Sequence, residues 1–108
     1  MTKLSIEDID ADTLAVRIAG WQTLVLDLRE ENAFRAARIP DAILIPRNEL
    51  ATALQGLPVG TSLSLICETW EQSRSAAELL WDMGYHRIAV LRGGFATYLE
   101  RGLPLSTL

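Results

Sequence analysis

The 108-residue chain has one cysteine and one histidine, and those two scarcities remove the most chemistry at once. A single thiol cannot form an internal disulfide framework, and one thiol with one imidazole falls short of a structural zinc site. Lysine is nearly absent too: nine of the ten cations are arginine, against fourteen Asp and Glu, for a formal charge of −4. That balance suits neither nucleic acid nor an anionic membrane surface, so neither is an expected partner. No apolar stretch approaches the ~20 residues a bilayer-spanning helix needs. The opening segment MTKLSIEDID is acidic from Glu7 onward and lacks the apolar centre of a secretory signal. The expected setting is therefore cytoplasmic. No repeat, low-complexity tract or Pro/Gly-rich linker divides the sequence, so residues 1–108 read as one domain of ordinary size.

What is present is a 49% hydrophobic composition arranged in short runs. Thr23–Leu28, Ala42–Ile45, Ser62–Ile66 and Ile88–Leu91 are rich in branched apolar residues and bounded by breakers, as buried parallel strands are. A further strand is expected over Leu4–Ile9. Between them the apolar residues recur at helical spacing. Ala11–Ala19 has Asp10 as N-cap and Gly20 as its stop; Glu30–Ala37 turns Ala33, Phe34 and Ala37 inward; Asn48–Gln55 ends at Gly56. Ser73–Met83 carries Ala76, Ala77, Leu80 and Met83 on one face, with Ser73 as cap and Gly84 beyond, and a last helix follows Gly93-Gly94 and runs to Glu100. Strands alternating with helices predict an α/β fold, doubly wound, with a central, mainly parallel sheet of about five strands flanked by helices. Ligands of such sheets sit at the carboxyl ends of the strands.

Cys67 follows the run that ends at Ile66, so it stands at a strand tip. Glu68, Thr69, Trp70, Glu71 and Gln72 then lead into the Ser73 helix. Successive backbone N–H groups in such a loop form an anion-binding concavity, and the helix end adds partial positive charge. Both favour thiolate, the reactive form. The other reading of a lone strand-end cysteine is a small buried hydrophobe.

The stretch DLREENAFRAARIPDA, from Asp27 to Ala42, resembles the signature of the rhodanese-like domain, in which Asp-x-Arg leads through a short acidic helix to Gly-His-Ile-Pro-Gly-Ala. Cys67, Ala76-Ala77, Leu80, Gly84-Tyr85, Leu91-Arg92-Gly93-Gly94-Phe95, Tyr98 and Gly102-Leu103-Pro104 follow the order and spacing of that family. The resemblance implies a sulfurtransferase or persulfide carrier. Cys67 would be the nucleophile that accepts a sulfane sulfur from thiosulfate or a persulfide and passes it to a thiol acceptor, on a small molecule or a protein. Residues 68 to 72 would be the loop whose N–H groups cradle the persulfide, and neither metal nor organic cofactor is required.

The loop departs from the family's Cys-Arg-x-Gly-x-Arg-Ser. Glu68 stands for the first Arg, Trp70 for the Gly and Gln72 for the second Arg, while Arg74 would point about 200° away from Gln72 on a helix. Glu68 and Glu71 are expected to raise the Cys67 pKa and to repel an anionic donor, so thiosulfate should be the poorer one; solvated acids pointing away from the thiol are the other reading. Trp70 either covers the pocket or meets a partner, or else folds onto apolar surface. Arg29 is expected to pair with an acid such as Glu31, His86 to be structural, Gly93-Gly94 to make a tight turn, and Trp21 and Trp81 to pack. Two other functions remain open on the same fold: a non-catalytic binding domain, and a phosphatase or arsenate reductase.

Overall fold

The apolar runs assemble into one sheet in a computed structural model that describes residues 5–107. Strands β1 (Glu7–Ile9), β2 (Leu24–Asp27), β3 (Ile43–Leu44), β4 (Leu63–Ile66) and β5 (Ile88–Leu91) lie in the order β1-β5-β4-β2-β3. Every neighbouring pair is parallel. The expected strand Ile88–Leu91 matches β5 at both ends, whereas the other four expectations extend slightly beyond the observed strands; Leu4 lies outside the described residues. β4 is central, between β5 and β2, and all of its residues are buried.

Because successive strand residues face opposite ways, the sheet has a core on each side. Leu63, Leu65 and Cys67 pack with Ala76, Ala77 and Leu80 of helix α4 (Trp70–Asp82). Ile66, Ala89 and Leu91 pack on the other side with Leu14 of α1 (Ala11–Ala19) and with Phe95 and Tyr98 of α5 (Phe95–Glu100). Short α2 (Glu31–Ala36) and α3 (Leu50–Ala53) complete the doubly wound arrangement. Each fully buried Leu or Ile in these layers contributes about 1.5–3 kcal/mol.

Helix boundaries differ from expectation where side chains compete for the caps. Asp10 caps α1 as expected, its carboxylate accepting from Thr13 N at 2.7 Å. The residue that reverses the chain after α1 is Trp21, at φ +55, rather than Gly20 at φ −90. Trp21 is also 83% exposed, so it is not the packing residue its hydrophobicity suggests. Trp81 does pack: it is buried and stacks on the exposed His86 ring, centroids 4.1 Å apart. The Asn48–Gln55 helix is a 3-10 turn, Arg47–Glu49, followed by one turn of α3, since Pro46 leaves the chain extended just before it. Ser73 is not a cap. Thr69, in extended conformation, accepts from Gln72 N at 3.3 Å and starts α4 at Trp70; Ser73 is buried within the helix.

Candidate active site

Cys67 is the first residue beyond β4 and continues the Leu63–Leu65 side of the strand, which turns its side chain toward α4. Only Glu68 and Thr69 separate it from that helix. Its backbone is clamped from the start of α5: Phe95 N donates to Cys67 O at 3.0 Å. Gly94 lies directly against the same peptide, at φ +74, where a Cβ would stand 2.4 Å from Glu68 O. Gly93-Gly94 is thus the tight turn expected from sequence, and it also supports the cysteine loop.

The Cys67 side chain is 2% exposed. Burial pushes its thiol above the ordinary value; the backbone N–H groups of Glu68 and Thr69 and the Arg47 guanidinium pull it back, and the Glu68 carboxylate adds a push upward. Burial, not the acidic loop, is therefore the main obstacle to thiolate formation. Glu71, exposed on the first turn of α4, is not among the groups that shift it. The thiol proton has two acceptors, Gln72 Oε1 at 3.1 Å from Sγ and Leu28 O at 3.7 Å.

The five residues read as a loop divide between two structures. Glu68 and Thr69 form the loop proper; Trp70, Glu71 and Gln72 are the first turn of α4. Gln72 reaches the sulfur. Trp70, where the family has Gly, has ordinary helical geometry, packs half-buried on the core and donates from Nε1 to Asp8 Oδ1 at 2.6 Å. Arg74 points away from the thiol, toward Ile6 O at 3.4 Å and Glu78 at 3.7 Å.

Arg29 pairs with Asp27, at 2.9 Å, and not with Glu31, which meets Arg35. Two residues apart across the tip of β2, the two charges are both buried; Arg29 also donates to Ala37 O at 2.7 Å and lies 3.7 Å over the Phe95 ring. It is thus a buried tie between β2, the end of α2 and α5. Asp41, at the second Gly of the family motif, adopts φ +66 in a turn closed by Ala42 N to Ile39 O at 3.1 Å. Asp tolerates this left-handed geometry better than most residues. Arg38, at the family's His, exchanges backbone hydrogen bonds with Ser106.

Sequence reasoning missed Arg47. It follows β3, whose register on β2 and whose Ile45 N to Asp27 O bond bring it to the carboxyl end of the sheet. There a cavity of about 510 Å³ opens beside the thiol's acceptor Leu28, lined by Arg29, Glu30 and Glu31 from one side and by Leu44, Pro46, Arg47 and Asn48 from the other. The signal was faint, since an Arg after a strand-ending Pro carries no motif.

The model of the family described as Rhodanese-like domain matches residues 10–101. A sulfurtransferase of Allochromatium vinosum is 28% identical over 101 residues, 93% of this chain and 94% of that protein. The thiosulfate sulfurtransferase GlpE of Pseudomonas syringae is 26% identical over 72 residues, covering 67% of this chain and 68% of its own. Among solved structures, a rhodanese-related protein of Thermoplasma volcanium superposes with a TM-score of 0.84 at 28% identity, over 94% of this chain and 99% of that one.

Proposed function

This chain belongs to the rhodanese-like domain family, and from that premise we propose that it is a sulfurtransferase or persulfide carrier working through Cys67. The thiolate attacks the sulfane sulfur of a donor. The donor's S–S bond breaks, its electron pair leaves with sulfite or with a thiolate, and Cys67 is left as a persulfide. A thiophilic acceptor then takes the outer sulfur and regenerates the Cys67 thiolate. The observation that carries this reading is the position of the thiol: at the tip of the central strand, just ahead of α4, where the backbone N–H groups of Glu68 and Thr69 act to lower its pKa. Those groups stabilise negative charge on sulfur, whether thiolate or persulfide.

The donor we propose is a persulfide rather than thiosulfate. Thiosulfate brings two negative charges and a sulfite leaving group that needs charge stabilisation, and the cradle offers it a neutral amide at Gln72 beside the Glu68 carboxylate. A phosphatase reading has less support. It needs a guanidinium cradling the oxyanion, and Arg74 is engaged at Ile6 and Glu78 instead.

The test is intact mass after incubating reduced protein with thiosulfate and, separately, with a low-molecular-weight persulfide. One added sulfur on the wild type, absent from Cys67→Ser and faster from the persulfide, is the expected result. No adduct from either donor would leave a binding domain as the better account, and rapid thiosulfate turnover would overturn the donor assignment.

A further inference from the structure

The cavity lined by Leu28, whose carbonyl accepts from the Cys67 thiol, carries a charge pattern that the sulfur chemistry alone does not require. Its four ionisable residues are Arg29, Glu30, Glu31 and Arg47. Two of them are committed: Arg29 to the buried Asp27, and Glu31 to Arg35. Arg47 and Glu30 have no ion pair among the described residues, and both are exposed. They come from different elements, Glu30 from the N-cap of α2 and Arg47 from the turn after β3. The neutral walls are Leu28, Leu44 and Pro46, with the Asn48 amide at the edge. One free cation and one free anion over an apolar floor complement a zwitterion, not a dianion.

Resting on the sulfurtransferase reading, we propose that this cavity recognises the α-amino-acid end of a small-molecule persulfide, with Arg47 receiving its carboxylate and Glu30 its ammonium group. The donor class is a thiol persulfide bearing a free amino-acid zwitterion; a persulfide inside a folded protein, whose α-amino and α-carboxyl groups are tied up in peptide bonds, does not fit. At about 510 Å³ the cavity is within the range of small-molecule sites. The sulfane end is directed to the Leu28 side, where the Cys67 sulfur makes its contact with Leu28 O. In the transfer, the Cys67 thiolate attacks the terminal sulfur of R–S–SH, the donor's S–S bond breaks, and R–S⁻ leaves with the electron pair. The terminal sulfur keeps its proton, so no oxidant or reductant is needed. Arg47 also acts on the thiol itself, which is why the test reads ratios between donors and not absolute rates.

Three donors of nearly equal length separate the two contacts: cysteine persulfide, the persulfide of 3-mercaptopropionate, which lacks the amine, and that of cysteamine, which lacks the carboxylate. The measurement is the second-order rate of sulfur addition to Cys67, by intact mass. Wild type should prefer cysteine persulfide by about tenfold over either truncated donor, the value of one charge-assisted contact. Arg47→Gln should abolish the advantage over the cysteamine donor, and Glu30→Gln the advantage over the mercaptopropionate donor. Both residues are exposed, so neither change threatens folding. Equal rates for the three donors on wild type, or variants that scale all three rates in parallel, would overturn this assignment while leaving the sulfurtransferase reading intact. Sulfur addition from none of them would overturn both.

Discussion

The sulfur of Cys67 lies 3.1 Å from Oε1 of Gln72, and the amide oxygen accepts the thiol proton. That contact stabilises the neutral thiol. A guanidinium at the same place would do the reverse, favouring thiolate and attracting an anionic donor. Gln72→Arg is therefore expected to lower the pH at which Cys67 becomes alkylatable and to raise the thiosulfate rate by about tenfold, which is one charge-assisted interaction. Iodoacetamide alkylation against pH, with a thiosulfate assay on the same preparations, checks both. A variant with unchanged alkylation and unchanged thiosulfate rate would remove Gln72 from the account of donor choice.

The raised Cys67 pKa has a sign for stability. An unfolded thiol titrates near about 8.5, and the folded one titrates higher because burial disfavours the thiolate. Below the unfolded value both states hold the proton and stability is unaffected. As the pH rises through the window between the two, the unfolded chain loses its proton first, and folding stability falls. Denaturation of wild type and Cys67→Ser from about pH 7 to about pH 10 should therefore diverge, wild type losing more. Tyr98, whose pKa burial also raises, is common to both proteins and cancels in the comparison.

Gly94 cannot accept a side chain without moving the cysteine loop. A Cβ there meets Glu68 O at 2.4 Å and Cys67 O at 3.1 Å, and the backbone sits at φ +74. Gly94→Ala combines left-handed strain with a clash against backbone, a cost of about 3 kcal/mol. Chemical denaturation should register that loss. Sulfur uptake by the folded fraction should also fall, because the N–H groups of Glu68 and Thr69 move with the displaced peptide.

The strands were legible in the sequence because their apolar runs are short and branched, and the position of Cys67 followed from the end of one run. The pairing of Arg29 was not. Local spacing offers Glu31 two residues downstream and Asp27 two residues upstream on equal terms. Only the turn of the chain off β2 buries Arg29 with Asp27, beneath Phe95, which lies more than sixty residues further on. The first turn of α4 was hidden for a different reason: Thr69 and Ser73 are both good caps, and burial of Ser73 decides for Thr69. Arg47 needed the β2–β3 register before it could be placed near the thiol at all.

Arg29 and Asp27 should behave as a unit. Arg29→Ala leaves the Asp27 carboxylate buried without its partner and frees Ala37 O, a loss of about 3–5 kcal/mol. Asp27→Asn, Arg29→Ala and the double variant form a double-mutant cycle by urea denaturation. The double variant should be less damaged than the sum of the two single ones, since it leaves no lone buried charge. Simple additivity would mean that the pair contributes nothing as a pair.

Two helices of this chain end in the same hydrogen-bond pattern with opposite residue choices. After α4, Gly84 N donates to Trp81 O and Tyr85 N to Leu80 O, with Gly84 at φ +105. After α1, Trp21 N donates to Ile18 O and Gln22 N to Arg17 O, with Trp21 at φ +55. The second position imposes on an aromatic residue the left-handed geometry that glycine adopts freely. Being 83% exposed, the indole recovers little of that cost through burial. Trp21→Gly should accordingly stabilise the fold by about 0.5–1 kcal/mol even after the extra freedom of an unfolded glycine is counted, a rise in Tm of roughly 2–6 °C. Gly84→Ala is the matched control. A Cβ there finds ordinary contact with Val59 at 3.4 Å, so its destabilisation reports backbone strain alone. If Trp21→Gly lowered the Tm while Gly84→Ala also lowered it, the Trp21 side chain would have to contribute more to the folded state than its exposure allows.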